Sequence, residues 1–466
     1  MPGPRNVSEE RRKMLLEEPL IKIIPKLAIP TIVAQLVTAF YGLADTFFVS
    51  QLGDAATAAV GINDSLSHFI QAIGLGFGAG ALSYISRLLG AKKDDEANTV
   101  ASTVFDICAA VSIVFSIVCF VLRGPLVDML GATDTSKPYA IDYATFILFG
   151  TPFVAATYVL NSLLRAEGSN QFAMWGTVCG CVINIALDPL FISVMKMEVA
   201  GAALATAISQ FVSFCVLMFP YVKKHTMIRI NLRNFKPSWA MMGEVIKMGL
   251  PSFLRNSVSA MASTVTNNVA GAFGDFALAG MSVSNKIMKF LEAVTMGYAT
   301  GIQPVVGFSW GAKKYRRVKK TYFTIAGVGS LIALVLGLVA AIFAHPLLSL
   351  FARSPEALDM GIRVFQLQCY VLVLHMVVIS SSGFFQALGR APSALFITFT
   401  RTLIILVPVT LILPNLFGLE GLIWVRAATD IISFLITLPL ILKILHEINQ
   451  KIAAGESTDD PEPQKA

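Results

Sequence analysis

KLAIP at residues 26–30 and KMGLP at residues 247–251 are near copies of one phrase, 221 positions apart. The register holds outward from there. Gly53–Asp54 falls on Gly274–Asp275, and Gly90–Ala91–Lys92–Lys93 falls on Gly311–Ala312–Lys313–Lys314 at the same shift. NSLLRAEG (161–168) falls on SGFFQALG (382–389), again at 221. The last segment of each half fits at 220, with Gly201 on Gly421 and Phe214 on Phe434. One register held over such a distance marks a duplicated chain.

The material being duplicated is apolar. Hydrophobic residues make up 55% of the 466 and charged residues 14%, where a soluble domain carries about a quarter charged. Runs of about 20 apolar residues are long enough to cross a bilayer as helices. They fall near 21–49, 58–86, 98–121, 139–163, 170–193 and 200–222, and again near 243–272, 278–306, 320–345, 360–386, 393–413 and 418–446. Continuous runs exclude a barrel, whose strands alternate. An even number of helices per half makes the repeats parallel. The expectation is an all-α integral membrane protein, with twelve transmembrane helices in two parallel six-helix repeats around a central cleft. The parts expected are a cytoplasmic N-terminal segment (1–20), an N-lobe (21–222), a cytoplasmic linker (223–242), a C-lobe (243–446) and a disordered cytoplasmic tail (447–466).

Net charge is +7. The basic residues lie in gaps between apolar runs, so they report topology and not a nucleic-acid surface. With the N-terminus inside, the inner segments hold 25 Lys and Arg and the outer loops 4, namely Arg123, Lys137, Lys196 and Arg353. That bias predicts both termini in the cytoplasm and a multi-pass protein of the plasma (inner) membrane. The six cysteines lie inside apolar runs without metal-ligand spacing. No cleaved signal peptide is evident. Gly74, Gly76, Gly78 and Gly80 permit close helix packing and form no phosphate loop, because no Walker lysine follows.

Carboxylates inside spans cost about 2.5–3.5 kcal/mol each on insertion scales, so each needs a reason. Asp45 lies in the first span and Asp188 in the fifth, just before Pro189. Asn184 is one turn before Asp188 and shares its face. Thr206, in the sixth span, adds a hydroxyl. Two carboxylates, an amide oxygen and a hydroxyl form a hard-oxygen set for Na⁺, and the pair suits a proton equally. The competing reading is interhelical hydrogen bonding alone. At the repeat shift Asp45 falls on Thr266, Asn184 on Ile405 and Asp188 on Val409, so the second half lacks the set. Elsewhere Arg426 and Asp430 are spaced to pair with each other, as are Lys289 and Glu292. His375 reads as a core histidine or a proton carrier. Asn256, Asn268, Lys286, Met261 and Met288 are candidates for lining a substrate cleft; methionine suits a pocket that repacks around varied ligands.

AIPTIVAQLVTAFYGLADTFFVSQLG (28–53), NSLLRAEG (161–168), NIALDPLFI (184–192) and GAALAT (201–206) together resemble the multidrug and toxic compound extrusion family, across about residues 20–445. The resemblance is to its bacterial and archaeal drug-efflux branches. It implies export of organic cations and amphipathic drugs, driven by Na⁺ or H⁺ moving inward, with two lobes rocking as a monomer among membrane lipids. It places a cation site at Asp45, Asn184, Asp188 and Thr206, with Asn161 in the surrounding network. It implies no cofactor beyond the coupling ion, no nucleic-acid partner and no enzymatic activity. Arg255 stands near where other branches carry a second-lobe acid. A lipid-linked sugar flippase is the alternative, and a membrane enzyme fits less well because no catalytic motif appears.

Overall fold

The computed structural model describes residues 4–52, 54–133, 135–351 and 354–459. Gly53 of the repeat, Arg353 of the outer loops and 460–466 of the tail lie outside the described residues. The chain folds into helices α1 (Pro4–Glu17), α2 (Leu20–Ser50), α3 (Asp54–Gly90), α4 (Asp94–Val121), α5 (Arg123–Met129), α6 (Lys137–Ala166), α7 (Asn170–Pro189) and α8 (Glu198–Val222). The second half continues with α9 (Trp239–Gly271), α10 (Asp275–Gly311), α11 (Tyr315–Ile342), α12 (Ala344–Ser349), α13 (Pro355–Ala387), α14 (Ala391–Phe399) and α15 (Leu406–Ala453). In lipid the backbone must satisfy its own hydrogen bonds, and helices do so within one segment.

Nine helical runs among the described residues are long and apolar enough to cross a membrane. The last, Ala391–Ala453, is two spans, because Gly418 breaks α15 at φ 61° and ψ −137°. Helices α9 and α10 are equally long but more polar in sequence. With these, the described residues hold the twelve expected spans. The outward faces agree with a lipid solvent. Helix α4 exposes Val114, Ile117, Val118 and Val121, and its repeat mate α11 exposes Leu331, Val335, Leu338 and Ile342. Such stripes at three- and four-residue spacing would be a liability in water.

The repeat is written into the backbone. Lys92 and Lys313 both take a left-handed conformation, at φ 60° and 57°. Gly168 and Gly389 do the same at 79° and 80°. The duplicated GAKK and EG/LG turns therefore end their helices in the same way.

The chain forms two compact units. One comprises Met1–Met14, Val33–Leu89 and Lys93–Phe253; the other comprises Leu15–Ile32, Gly90–Lys92 and Leu254–Ala466. These depart from the sequence halves at the Gly90–Lys92 turn and at the starts of two long helices. The first turns of α9 belong to unit 1, where they pack on α3. The first turns of α2 belong to unit 2, where they pack on α10. Glycine makes both crossings. A Cβ on Gly249 would stand 2.0 Å from the Gly76 carbonyl oxygen, and one on Gly80 would stand 2.0 Å from that of Val245. At the repeat positions, a Cβ on Gly297 would stand 2.7 Å from the Ile32 Cα, and one on Gly301 2.9 Å from the Leu27 carbonyl oxygen. Backbone meets backbone there, as small residues allow in membranes.

The terminal and linking segments are more ordered than composition suggests. In unit 1, Arg11 of α1 pairs with Glu167 and donates to the His225 carbonyl at 2.9 Å, while Arg12 reaches Asp94 at 2.6 Å. Glu167 is fully buried and also accepts from Ser169 and from the Met227 and Ile228 amides. Burial raises its carboxyl above the ordinary range, against the pull of Arg11 and these donors. The linker is pinned to α4: the Arg229 amide donates to Asn98 at 2.7 Å and the Lys236 amide to Thr103 at 3.2 Å.

The expectation of a disordered tail from 447 is corrected over 447–459. Helix α15 runs to Ala453, and in unit 2 the residues beyond it cap α11. The Tyr315 amide donates to Ser457 at 3.2 Å, and the Arg316 and Arg317 amides donate to Asp459 at 2.8 and 3.2 Å. The orphan N–H groups and positive dipole of a helix start attract such an acidic segment, a use of acidic residues that composition alone does not reveal.

The glycine crossing generates a prediction. Gly249→Ala should lower the melting temperature of the detergent-solubilised protein, with an overpacking cost of about 1–3 kcal/mol. Gly243→Ala, on the same helix but with nothing within 4 Å of its Cβ, should not lower it.

Candidate cation site

Helix α7 is interrupted where its chemistry lies. Pro189 has no N–H, so the carbonyl four residues earlier loses its usual donor. The chain continues as a π turn over Leu190–Val194. Such turns recur at functional sites. Immediately before the proline, Asp188 is wholly buried, and Asn184, one turn earlier, is buried on the same face.

The Asn184 amide joins α7 to α8. Its nitrogen donates to Asp188 Oδ2 at 3.0 Å, and its oxygen accepts from the Thr206 amide at 3.2 Å and hydroxyl at 3.3 Å. Tyr41 of α2 is hydrogen-bonded to Thr206 as well. A cavity of about 20 Å³ opens at this junction, lined by Tyr41, Gly180, Cys181, Asn184, Thr206, Ser209 and Gln210. That is room for one water-sized guest. Asp188 Oδ1 has no hydrogen-bond partner among the described residues. A buried carboxylate oxygen left in that state calls for a proton, an ion or a water.

Asp45, half-buried on α2, lies one turn beyond Tyr41 and within electrostatic range of Asp188 and of Asp64 on α3. The Tyr143 ring, from α6, is buried within the field of Asp45, Asp64 and Asp188. Unit 1 therefore gathers Asp45, Asn184, Asp188 and Thr206 in one neighbourhood. It does not bring Asn161 to them. That amide donates instead to the Ala173 carbonyl at 3.0 Å and the Thr177 hydroxyl at 3.1 Å, two to three turns back along α7. Its role is to seat α7 on α6.

Tyr41, Tyr143 and Asp64 escaped the sequence reading. Tyr41 had a usable signal, since it precedes Asp45 by four residues and shares its face. Tyr143 had none, because only folding brings α6 beside the carboxylates.

The candidate cleft residues all belong to unit 2. Met261, Asn268 and Lys286 are exposed, and Asn256 is half-buried. Met288 is 5% exposed and packs inside the unit, which corrects its assignment to an open lining. Two expected pairings are also corrected. Asp430 does not pair with Arg426. It receives Arg401 Nε at 2.9 Å and lies 3.2 Å from His375 Nδ1. Arg426 approaches Glu292 instead, at 3.9 Å, in place of the expected Lys289–Glu292 pair. Spacing along one helix offered a neighbour; packing offered a nearer guanidinium from the π turn Thr400–Ile405.

Comparison with known proteins decides the family. The MatE family model matches residues 30–190 and 251–412, once in each half. The chain belongs to the MatE family. Among curated relatives, the multidrug export protein MepA of Staphylococcus haemolyticus (strain JCSC1435) is 27% identical over 409 residues, covering 88% of this chain and 90% of the relative. MepA of Staphylococcus aureus (strain NCTC 8325 / PS 47) is 27% identical over 420 residues, covering 90% and 92%. Among solved structures, a MATE transporter in complex with MaL6 superposes with a TM-score of 0.90 at 27% identity, covering 94% of this chain and 99% of that one. An outward-facing multidrug resistance MATE family transporter gives 0.89 at 27% identity, covering 94% and 98%. As a MatE protein the chain is a multi-pass membrane transporter and not an enzyme.

The unpartnered Asp188 oxygen yields a prediction about stability. Asp188→Asn should leave the ion-free protein at least as stable as wild type, with a gain of up to about 1–3 kcal/mol from removing an unsatisfied buried group. Thermal unfolding followed by tryptophan fluorescence, at a pH where carboxylates are ionised and without Na⁺, measures it.

Proposed function

We propose that this MatE protein exports amphipathic drugs, organic cations among them, in exchange for Na⁺ or H⁺ entering at Asp45 and Asp188. The observation that carries the reading is the free Asp188 oxygen beside the small Asn184–Thr206 cavity. The similarity to multidrug export proteins supports the substrate class. The basic bias of the inner segments supports a plasma-membrane protein with both termini inside. The single chain carries the proposed coupling site and both repeats, so it acts as a monomer.

The mechanism follows from charge. Two carboxylates held within each other's field in a poorly polarisable interior repel strongly. A Na⁺ ion bound by Asp188, Asp45, the Asn184 amide oxygen and the Thr206 hydroxyl would relieve that repulsion, and so would a proton. Tyr41, hydrogen-bonded to Thr206 and one turn from Asp45, ties the second half of α2 to the site. A change in charge at the pair is thereby passed to α2. The drug and the cation exchange when each stabilises a different state of the transporter; the coupling energy is the difference in cation affinity between states.

Proteoliposomes loaded with a fluorescent organic cation test this under separately imposed Na⁺ and pH gradients. Wild type should export under one gradient. Asp45→Asn and Asp188→Asn should each abolish gradient-driven export, a fall of at least about 100-fold if one buried charge carries several kcal/mol of coupling. Full export by folded Asp188→Asn would remove that carboxylate from the mechanism. Absence of export under both gradients would favour a lipid flippase instead.

A further inference from the structure

The two repeats meet opposite electrostatic needs. Within its spans unit 1 carries Asp45, Asp64, Asp106, Asp142 and Asp188, with Glu244 and Lys247 near the start of α9. Unit 2 carries Arg255, Lys286, Lys289, Arg363, Arg401 and Arg426 against Glu292, Glu420 and Asp430. The reversal falls at matching positions. Gly180, Thr206 and Gln210 line the cavity beside Asp188. At the repeat shifts of 221 and 220 they fall on Arg401, Arg426 and Asp430. Where unit 1 leaves space beside a carboxylate, unit 2 inserts guanidinium groups.

The local charges can be followed one by one. Arg401 donates through Nε to Asp430 at 2.9 Å, and its Nη2 lies 2.9 Å from His375 Nδ1. The same Nδ1 lies 3.2 Å from Asp430 Oδ1, so it stands between a donor and an acceptor. The trio of Arg401, Asp430 and His375 holds one carboxylate for one guanidinium. Its geometry holds the Arg401 fork in place with Nη1 lacking a partner among the described residues. Arg426 has Glu292. Arg255, on α9, is within electrostatic range of Arg401 and has no carboxylate partner among the described residues. A half-buried guanidinium within electrostatic range of a second one inside a membrane is costly unless negative charge offsets it. Two turns before His375 on α13, Gln368 is 4% exposed, and neither atom of its amide has a partner. A buried amide in that condition calls for an explanation, a water or an ion among them.

We infer that unit 2 holds an anion-recognising site built on Arg255 and the braced Arg401, which takes the carboxylate or phosphate group of an amphipathic ligand. Arginine suits this role because its planar fork matches both groups. The ligands so favoured are amphiphiles that carry an anionic group, zwitterions included. The inference deepens the export reading by naming a substrate class, and it rests on that reading only for the direction of transport.

The test uses the purified full-length protein in detergent and two xanthene dyes, one with a free carboxylate and the other its ethyl ester. Fluorescence anisotropy gives the affinity of each. Wild type should bind the free carboxylate more tightly than the ester. Arg255→Gln should weaken the carboxylate dye at least about tenfold and leave the ester unchanged, while Arg255→Lys should keep most of the preference. Equal affinities in wild type, or a preference that survives Arg255→Gln, would overturn the proposal. So would parallel loss of both dyes from a monodisperse Arg255→Gln protein. Titrating phosphatidylglycerol against phosphatidylcholine separates the sources of the anion. Displacement of the dye by phosphatidylglycerol alone assigns the site to a lipid headgroup, and no displacement assigns it to a soluble amphiphile. Ion-driven export of the ester from liposomes, measured on the same preparation, reports on the cation site by itself.

Discussion

Charge inside a lipid-embedded bundle has to be matched, and each unit meets that constraint differently. Unit 1 leaves one oxygen of Asp188 unmatched beside a space too small for more than a single small guest. Unit 2 places Arg401 and Arg426 at the corresponding positions and sets them against Asp430 and Glu292. The helices, their polar faces and the interruptions in α7 and after α14 all serve this distribution. A chain of ordinary core residues could build the same bundle without π turns, but it would leave no unpartnered carboxylate oxygen beside a cavity.

Much of the bundle was legible because its signals are long. Twelve apolar runs of about the thickness of a bilayer, and one register held from KLAIP to the last helix, leave little choice of architecture. The sequence reading faltered where the determinant is a single close approach. Nothing in the phrase KMGLP announces that Gly249 lies against the Gly76 carbonyl, and so nothing announces that the first turns of α9 pack with unit 1. The tail misled for a related reason. An acidic, proline-bearing segment has the composition of a disordered one, and Asp459 is ordered only because the amides at the start of α11 await an acceptor.

The site was legible in part. Asp45 and Asp188 stand out in any apolar run, and Asn184 follows from helical spacing. Tyr143 could not be found that way, since its nearness to the carboxylates is a property of helix packing. Arg401 is the instructive case. In the sequence, Arg426 and Asp430 read as an intrahelical pair. The π turn that carries Arg401 places its guanidinium nearer to Asp430 than the neighbour four residues away along the helix. Local spacing names the residues that can meet, and tertiary geometry chooses among them.

The exchanged helix ends also set an order of events during synthesis. Unit 1 includes residues up to Phe253, so it remains incomplete when the ribosome has finished the first six spans. It closes only after the opening turns of the seventh have been made. The segment Leu15–Ile32, among the first to emerge, waits longer still, for the glycine face of α10. Early spans must therefore be held in the membrane with an unfilled groove on α3 and an unclaimed stretch of α2. A gene for either half alone would encode a protein lacking one of its own packing partners.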